Sequence, residues 1–238
     1  MIGLIFAPKS KRYITPHDAR ELVSTVRQQL QGSSPLASPT AEGRQTDDID
    51  DWFSFQSRQL SNRPKPLFIG VFQNAPLETI FSILEHVKLD LVQLHGNEPV
   101  AYSRLIPVPV IKAFHVDTAS DMSDLHEPIE ATLREATRPG YHHLPLLDTK
   151  VSTAKGALSG GAGKTFDWSV ARRLSAPAES KKKLPIVLAG GLDASNVRMA
   201  IEQVRPFAID VSGGVETNGE KDLQKIEELL HTVKQMSS

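Results

Sequence analysis

The stretch PIVLAGGLDASNVRMAIEQVRPFAIDVSGGVE, residues 185–216, decides the fold. It reads strand, glycine turn, helix, strand, glycine turn. Residues 186–189 are apolar over strand length and 207–211 are apolar except for Asp210, with β-branched residues in both runs. Residues 195–204 place Val197, Ala200, Ile201 and Val204 on one helical face. Neither strand alternates polar with apolar. A strand that is nearly all apolar is covered on both faces, which is the condition of a parallel sheet.

Working outward, the same unit recurs. Strands are expected over 2–7, 67–72, 89–94, 108–114 and 143–147, in addition to the two above. Helices are expected over 16–31, 76–87, 98–105, 119–136, 167–174 and 221–236, in addition to 195–204. Thr15 can cap the first of these, with Pro16 at its first position. Seven strands thus alternate with seven helices. No dinucleotide-binding GxGxxG follows the first strand, so the alternation favours a closed parallel barrel over a doubly wound sheet. The expected fold class is α/β, of the (βα)8 TIM-barrel type, with seven of eight units present. Residues 1–238 are read as one domain. Residues 32–66 break the rhythm with Ser/Pro-rich sequence and the acidic run Asp47–Asp51. They are expected to form a flexible, solvated insertion, with Trp52, Phe53 and Phe55 as a short segment docking back on the body.

Composition narrows the function. The 238 residues are 39 % hydrophobic and 23 % charged, with net charge -1. No global basic excess points to nucleic acid or to an anionic membrane. The apolar start of the chain is too short for a signal sequence or a membrane span. Cysteine is absent, which excludes disulfides and thiolate chemistry within this sequence and fits a reducing, cytoplasmic setting. The eight histidines show no paired ligand spacing such as HExxH, so no metal site is expected.

In a parallel barrel the chemistry sits at the carboxyl ends of the strands. Three ends stand out: LLDTK (146–150), VLAGG (187–191) and IDVSGG (209–214). Asp148 can act as a general acid there, or can cap a turn or pair with Lys150 or Lys164. Gly190-Gly191 and Ser212-Gly213-Gly214 suit close approach of backbone amides to a phosphate, and equally suit ordinary turns. Arg12 can clamp a carboxylate with its planar fork or belong to a solvated basic turn with Lys9 and Lys11. Gln93 and His95 end another strand. Gly160, Gly161 and Gly163 precede Lys164-Thr165, but Leu158 occupies the glycine position that a nucleotide-binding P-loop requires. A mobile lid is the better reading of that run.

Taken in order, GLIFAPKSKRYITP, IGVFQNAP, VQLHGNEP, VIKAFHV, LLDTK, GGAGKTFDW, LAGGLDASNV and RPFAIDVSGGVET resemble the phosphoribosylanthranilate isomerase family of tryptophan biosynthesis. The resemblance implies an Amadori rearrangement of N-(5-phosphoribosyl)anthranilate to 1-(2-carboxyphenylamino)-1-deoxyribulose 5-phosphate, without cofactor or metal. It implies that Asp148 is the acid and that Arg12, Gln93, His95 and Asp210 contact the substrate. Gly190, Gly191, Ser212 and Gly213 would hold its phosphate. It also implies a small phosphosugar substrate and association or fusion with other tryptophan-pathway enzymes. Family members begin with a strand carrying a Lys-Ile-Cys-Gly-type motif whose cysteine is the base. The first strand-helix unit is therefore expected to be missing here. A catalytically inactive barrel that retains phosphate binding, or serves as an interaction module, is the alternative.

Overall fold

The computed structural model describes residues 1–30, 48–117, 126–150, 168–176 and 181–236. The strands are β1 (Ile2–Ile5), β2 (Phe68–Phe72), β3 (Leu91–Leu94), β4 (Val110–Asp117), β5 (Leu144–Lys150), β6 (Val187–Ala189) and β7 (Ala208–Ile209). They hydrogen-bond in chain order. The helices α1 (Pro16–Gln29), α2 (Ile49–Ser61), α3 (Leu77–His86), α4 (His126–Ala136), α5 (Ser169–Ser175), α6 (Val197–Val204) and α7 (Leu223–Met236) intervene or follow, with a 3₁₀ turn at Val100–Arg104. The chain divides into two compact units. One holds residues 1–113 and 138–145; the other holds 114–137 and 146–238.

In the first unit, β1, β2, β3 and β4 pair in parallel, with Leu4 opposite Gly70, Val71 opposite Gln93 and Leu94 opposite Lys112. Leu4, Phe6, Val23, Phe68, Phe72, Ile80, Leu94 and Val110 form one buried core. Phe6 and Phe72 stack at 5.4 Å between ring centroids. Gly70 is required where it stands, because a Cβ there would lie 2.6 Å from Leu89. Helix α1 starts as expected: Thr15 accepts a hydrogen bond from the Asp18 amide at 3.1 Å. At the opposite end of β2, Asp90 accepts from the Phe68 amide at 2.8 Å and from Arg27 at 3.0 Å on each oxygen.

The second half of the expected insertion is a helix. The acidic run opens α2, with Asp48 accepting from the Asp51 amide at 3.0 Å as an N-cap. Phe53 and Leu60 are buried, and the Trp52 indole donates to the His142 carbonyl at 2.8 Å. The docking aromatic segment is therefore part of a regular helix. Residues 32–47, which carry the Ser/Pro sequence, lie outside the described residues.

In the second unit, β5, β6 and β7 pair in parallel, with Asp148 opposite Ala189 and Leu188 opposite Ile209. Val197, Val215 and Leu229 form a smaller core under Ile201, Ile209 and Val233. Strand β7 is shorter than the expected 207–211, and the last helix starts at Leu223, two residues later than expected, after a small antiparallel hairpin, β8 (Glu216–Thr217) with β9 (Glu220–Lys221). Its turn places Asn218 and Gly219 at positive φ, which gives the two strands room to reverse. The expected helix at 98–105 is the 3₁₀ turn, because Pro99 and Pro107 confine it to a single short run.

Candidate active site

The second unit brings one end of three neighbouring strands together. Asp148 lies within β5, whereas the sequence reading placed it just beyond a strand ending at 147. It is buried, at 8 % exposure, and faces Ala189, the last residue of β6. The next two residues, Gly190 and Gly191, have φ of 93° and 58°. Those values are in the left-handed region, where glycine carries no Cβ penalty. On the following strand the Asp210 amide donates to the Leu188 carbonyl at 2.8 Å, so Asp210 sits directly past β7. Asp148, Gly190-Gly191, Asp210 and Ser212-Gly213 are thus gathered at the carboxyl ends of β5, β6 and β7.

Further contacts hold this end in shape. Asp193 Oδ1 accepts from the amides of Ser195 at 2.8 Å and Asn196 at 3.2 Å, while Asn196 Nδ2 donates to the Gly191 carbonyl at 2.9 Å. The LDASN sequence after the glycine pair therefore fixes the turn. Gly214 packs against the Leu192 carbonyl so tightly that a Cβ would overlap it. The two glycine turns are consequently one packed feature. Lys221 spans its rim, donating to the Ser212 carbonyl and to Glu216, each at 2.8 Å.

Asp148 pairs with a residue that sequence reasoning passed over. His115 Nδ1, on β4, lies 3.2 Å from Asp148 Oδ2. Lys164 and the side chain of Lys150, the partners expected for a structural aspartate, lie outside the described residues. The lid reading of Gly160, Gly161, Gly163 and Lys164-Thr165 falls outside them too. A buried carboxyl beside an imidazole is suited to general acid work. The signal for His115 was present: Ile111, Ala113 and His115 share one face of β4, and only the last is polar.

The first unit holds the other candidates. Gln93 is buried on β3, and its Nε2 donates to His95 Nδ1 at 3.0 Å, leaving the neutral ring's proton on Nε2. Arg12 lies in the exposed loop after β1, where its amide donates to Ser10 Oγ at 3.1 Å. The loop is closed by the Ile14 amide on the Ile5 carbonyl at 3.0 Å. Arg12 and His95 each follow the carboxyl end of their own strand, as the barrel rule requires.

Comparison with known proteins bears on these elements. A family model described as N-(5'phosphoribosyl)anthranilate (PRA) isomerase matches residues 30–232. A multifunctional tryptophan biosynthesis protein of Phycomyces blakesleeanus is 41 % identical over all of this chain, which covers 30 % of that protein. The chain spans less than a third of the multifunctional relatives it matches in this way. An N-(5'-phosphoribosyl)anthranilate isomerase of Oceanobacillus iheyensis is 34 % identical over 98 % of the chain and 85 % of its own length. A crystal structure of phosphoribosyl anthranilate isomerase, solved with reduced 1-(o-carboxyphenylamino)-1-deoxyribulose 5-phosphate, superposes with a TM-score of 0.60. It is 32 % identical and covers 98 % of this chain and 86 % of that one. The fold is α/β of the TIM-barrel type, and the chain belongs to the N-(5'-phosphoribosyl)anthranilate isomerase family.

Proposed function

We propose that this chain, acting as one isomerase domain, converts N-(5-phosphoribosyl)anthranilate to 1-(2-carboxyphenylamino)-1-deoxyribulose 5-phosphate. The observation that carries the reading is Asp148, buried at the end of β5 with one oxygen on His115 and with two fused glycine turns on the neighbouring strands. Asp148 donates a proton to the furanose oxygen as the ring opens. The amides of Gly190, Gly191, Ser212 and Gly213 receive the phosphate. Asp210 and Arg12 lie at the ends of their strands as contacts for the anthranilate half, and Arg12 offers its carboxylate a two-point fork. Gln93 and His95 serve the same substrate. The rearrangement also needs a base for the C2 proton, which the resemblance assigns to the cysteine of the Lys-Ile-Cys-Gly-type motif, absent from these 238 residues; it needs no redox partner.

The domain acts in tryptophan biosynthesis, joined to or associated with other enzymes of that pathway, as the multifunctional relatives suggest. Among the described residues no helix is long and apolar enough to cross a membrane. The absence of cysteine supports a cytoplasmic setting. The test is conversion of N-(5-phosphoribosyl)anthranilate by the full-length protein, followed chromatographically, beside the Asp148→Asn variant. Turnover that depends on Asp148 supports the reading. A folded protein that binds the product analogue without turnover would favour the phosphate-binding alternative.

A further inference from the structure

The first unit contains a buried ion pair that the proposed chemistry does not use. Glu98 follows β3 in the sequence His95-Gly96-Asn97-Glu98, and its side chain is 1 % exposed. Lys112, on β4, is 5 % exposed, and its Nζ lies 3.7 Å from Glu98 Oε2. Burying two charges costs more than a pair at this distance returns, unless further hydrogen bonds satisfy both groups. Here they do. Glu98 accepts from the Gly96 amide at 2.9 Å and from the Asn74 amide, one on each oxygen. Lys112 donates to the Gly96 carbonyl at 2.7 Å. Asn74, at the end of β2 with φ 54°, accepts from the Asn97 amide at 2.7 Å.

Gly96 is therefore gripped at both its amide and its carbonyl, by opposite charges. It also sits where any Cβ would lie 2.6 Å from Asn74 Oδ1 and 2.7 Å from the Asn74 amide. All these atoms surround a single peptide turn, the one that directs His95. An apolar pair of similar volume would stabilise such a spot as well or better. Charges retained there define a unique conformation of the turn.

We infer that Glu98 and Lys112 are positioning residues, which hold the His95-Gly96 turn in its substrate-binding conformation. The inference rests on the isomerase reading above and adds two residues to that site. It separates two effects that a single mutation would mix. Glu98→Gln alone leaves Lys112 buried without its charge partner, so lost stability and lost binding arrive together. The double variant Glu98→Gln/Lys112→Met removes both charges and tests positioning alone.

The experiment uses the full-length protein. Steady-state kinetics on N-(5-phosphoribosyl)anthranilate are joined to NMR of the His95 ring and of the Gly96 and Asn74 amides. For the folded double variant the expected result is KM raised about tenfold or more with kcat nearly unchanged. The His95 ring resonances move and the two amides exchange faster. A double variant with wild-type KM and an unchanged His95 signature would overturn the inference. If the wild-type protein does not turn over substrate, the isomerase reading fails, and the NMR signature alone then decides whether the pair positions His95.

Discussion

His143 should make this protein lose stability in mild acid. Its Nδ1 accepts a hydrogen bond from the Val110 amide at 2.9 Å, while its own amide donates to the Val110 carbonyl at 2.8 Å. The ring thus completes the first rung between β4 and β5 and must stay unprotonated to do so. Burial, helped by the neighbouring His142 and Arg63, pushes its pKa from the ordinary 6.5 down to about 3. Between those values the unfolded chain holds a proton that the folded chain refuses. Stability from this group is therefore complete above pH 6.5 and falls steadily as pH drops toward 3. At pH 5 the loss is about 1.5 pH units at ~1.36 kcal/mol each, or about 2 kcal/mol.

The perturbation is His143→Gln, whose amide oxygen can accept from Val110 without titrating. Urea unfolding at pH 7 and pH 5 reads the difference through Trp52, which is bonded to the adjacent His142 carbonyl. The wild-type midpoint should fall by about 1 M more than the variant's, for a typical urea dependence near 2 kcal/mol per molar. The variant is expected to be about 1 kcal/mol less stable at pH 7, through a poorer hydrogen bond. Equal acid losses in the two proteins would refute the reasoning, because they would show that the imidazole takes no extra proton on unfolding.

Three other outcomes are expected. Asp148→Asn should lower kcat by about 10²–10⁴-fold, the usual worth of a general acid, while its urea midpoint stays near that of wild type; near-normal turnover would remove Asp148 from the mechanism. Gly214→Ala should cost about 1–3 kcal/mol, because its Cβ meets the rigid Leu192 carbonyl, and should weaken binding of inorganic phosphate measured by calorimetry. An unchanged melting temperature would show that the two turns are not packed as described. Asp90→Ala should destabilise by about 3 kcal/mol, since it strips a partner from the Arg27 guanidinium and from the Phe68 amide at once; the loss should shrink when Arg27 is also replaced, as a double-mutant cycle would show.

The sequence alone determined the architecture, because an apolar strand and an amphipathic helix are local patterns. The runs at 67–72 and 186–189 and the Thr15-Pro16 helix start needed no distant partner to be read. The glycine turns after β6 and β7 were equally legible: Gly190 and Gly191 take left-handed backbone, and Gly214 leaves no room for a Cβ. Helix α2 was missed because its acidic run reads as solvated sequence until Asp48 is seen as a cap and Phe53 and Leu60 as buried anchors. Strand ends blurred for a related reason: β5 continues through Asp148, and its pairing with Ala189 comes from another strand.

Only the tertiary structure decided which polar groups meet. On the sequence Asp148 could have paired with Lys150 or Lys164; the fold brings it to His115, 33 residues earlier in the numbering. Nothing in the sequence pairs Glu98 with Lys112; the fold encloses both charges around Gly96. A residue's type and spacing fix the secondary structure it favours, whereas partnership and burial depend on the register between strands distant in sequence.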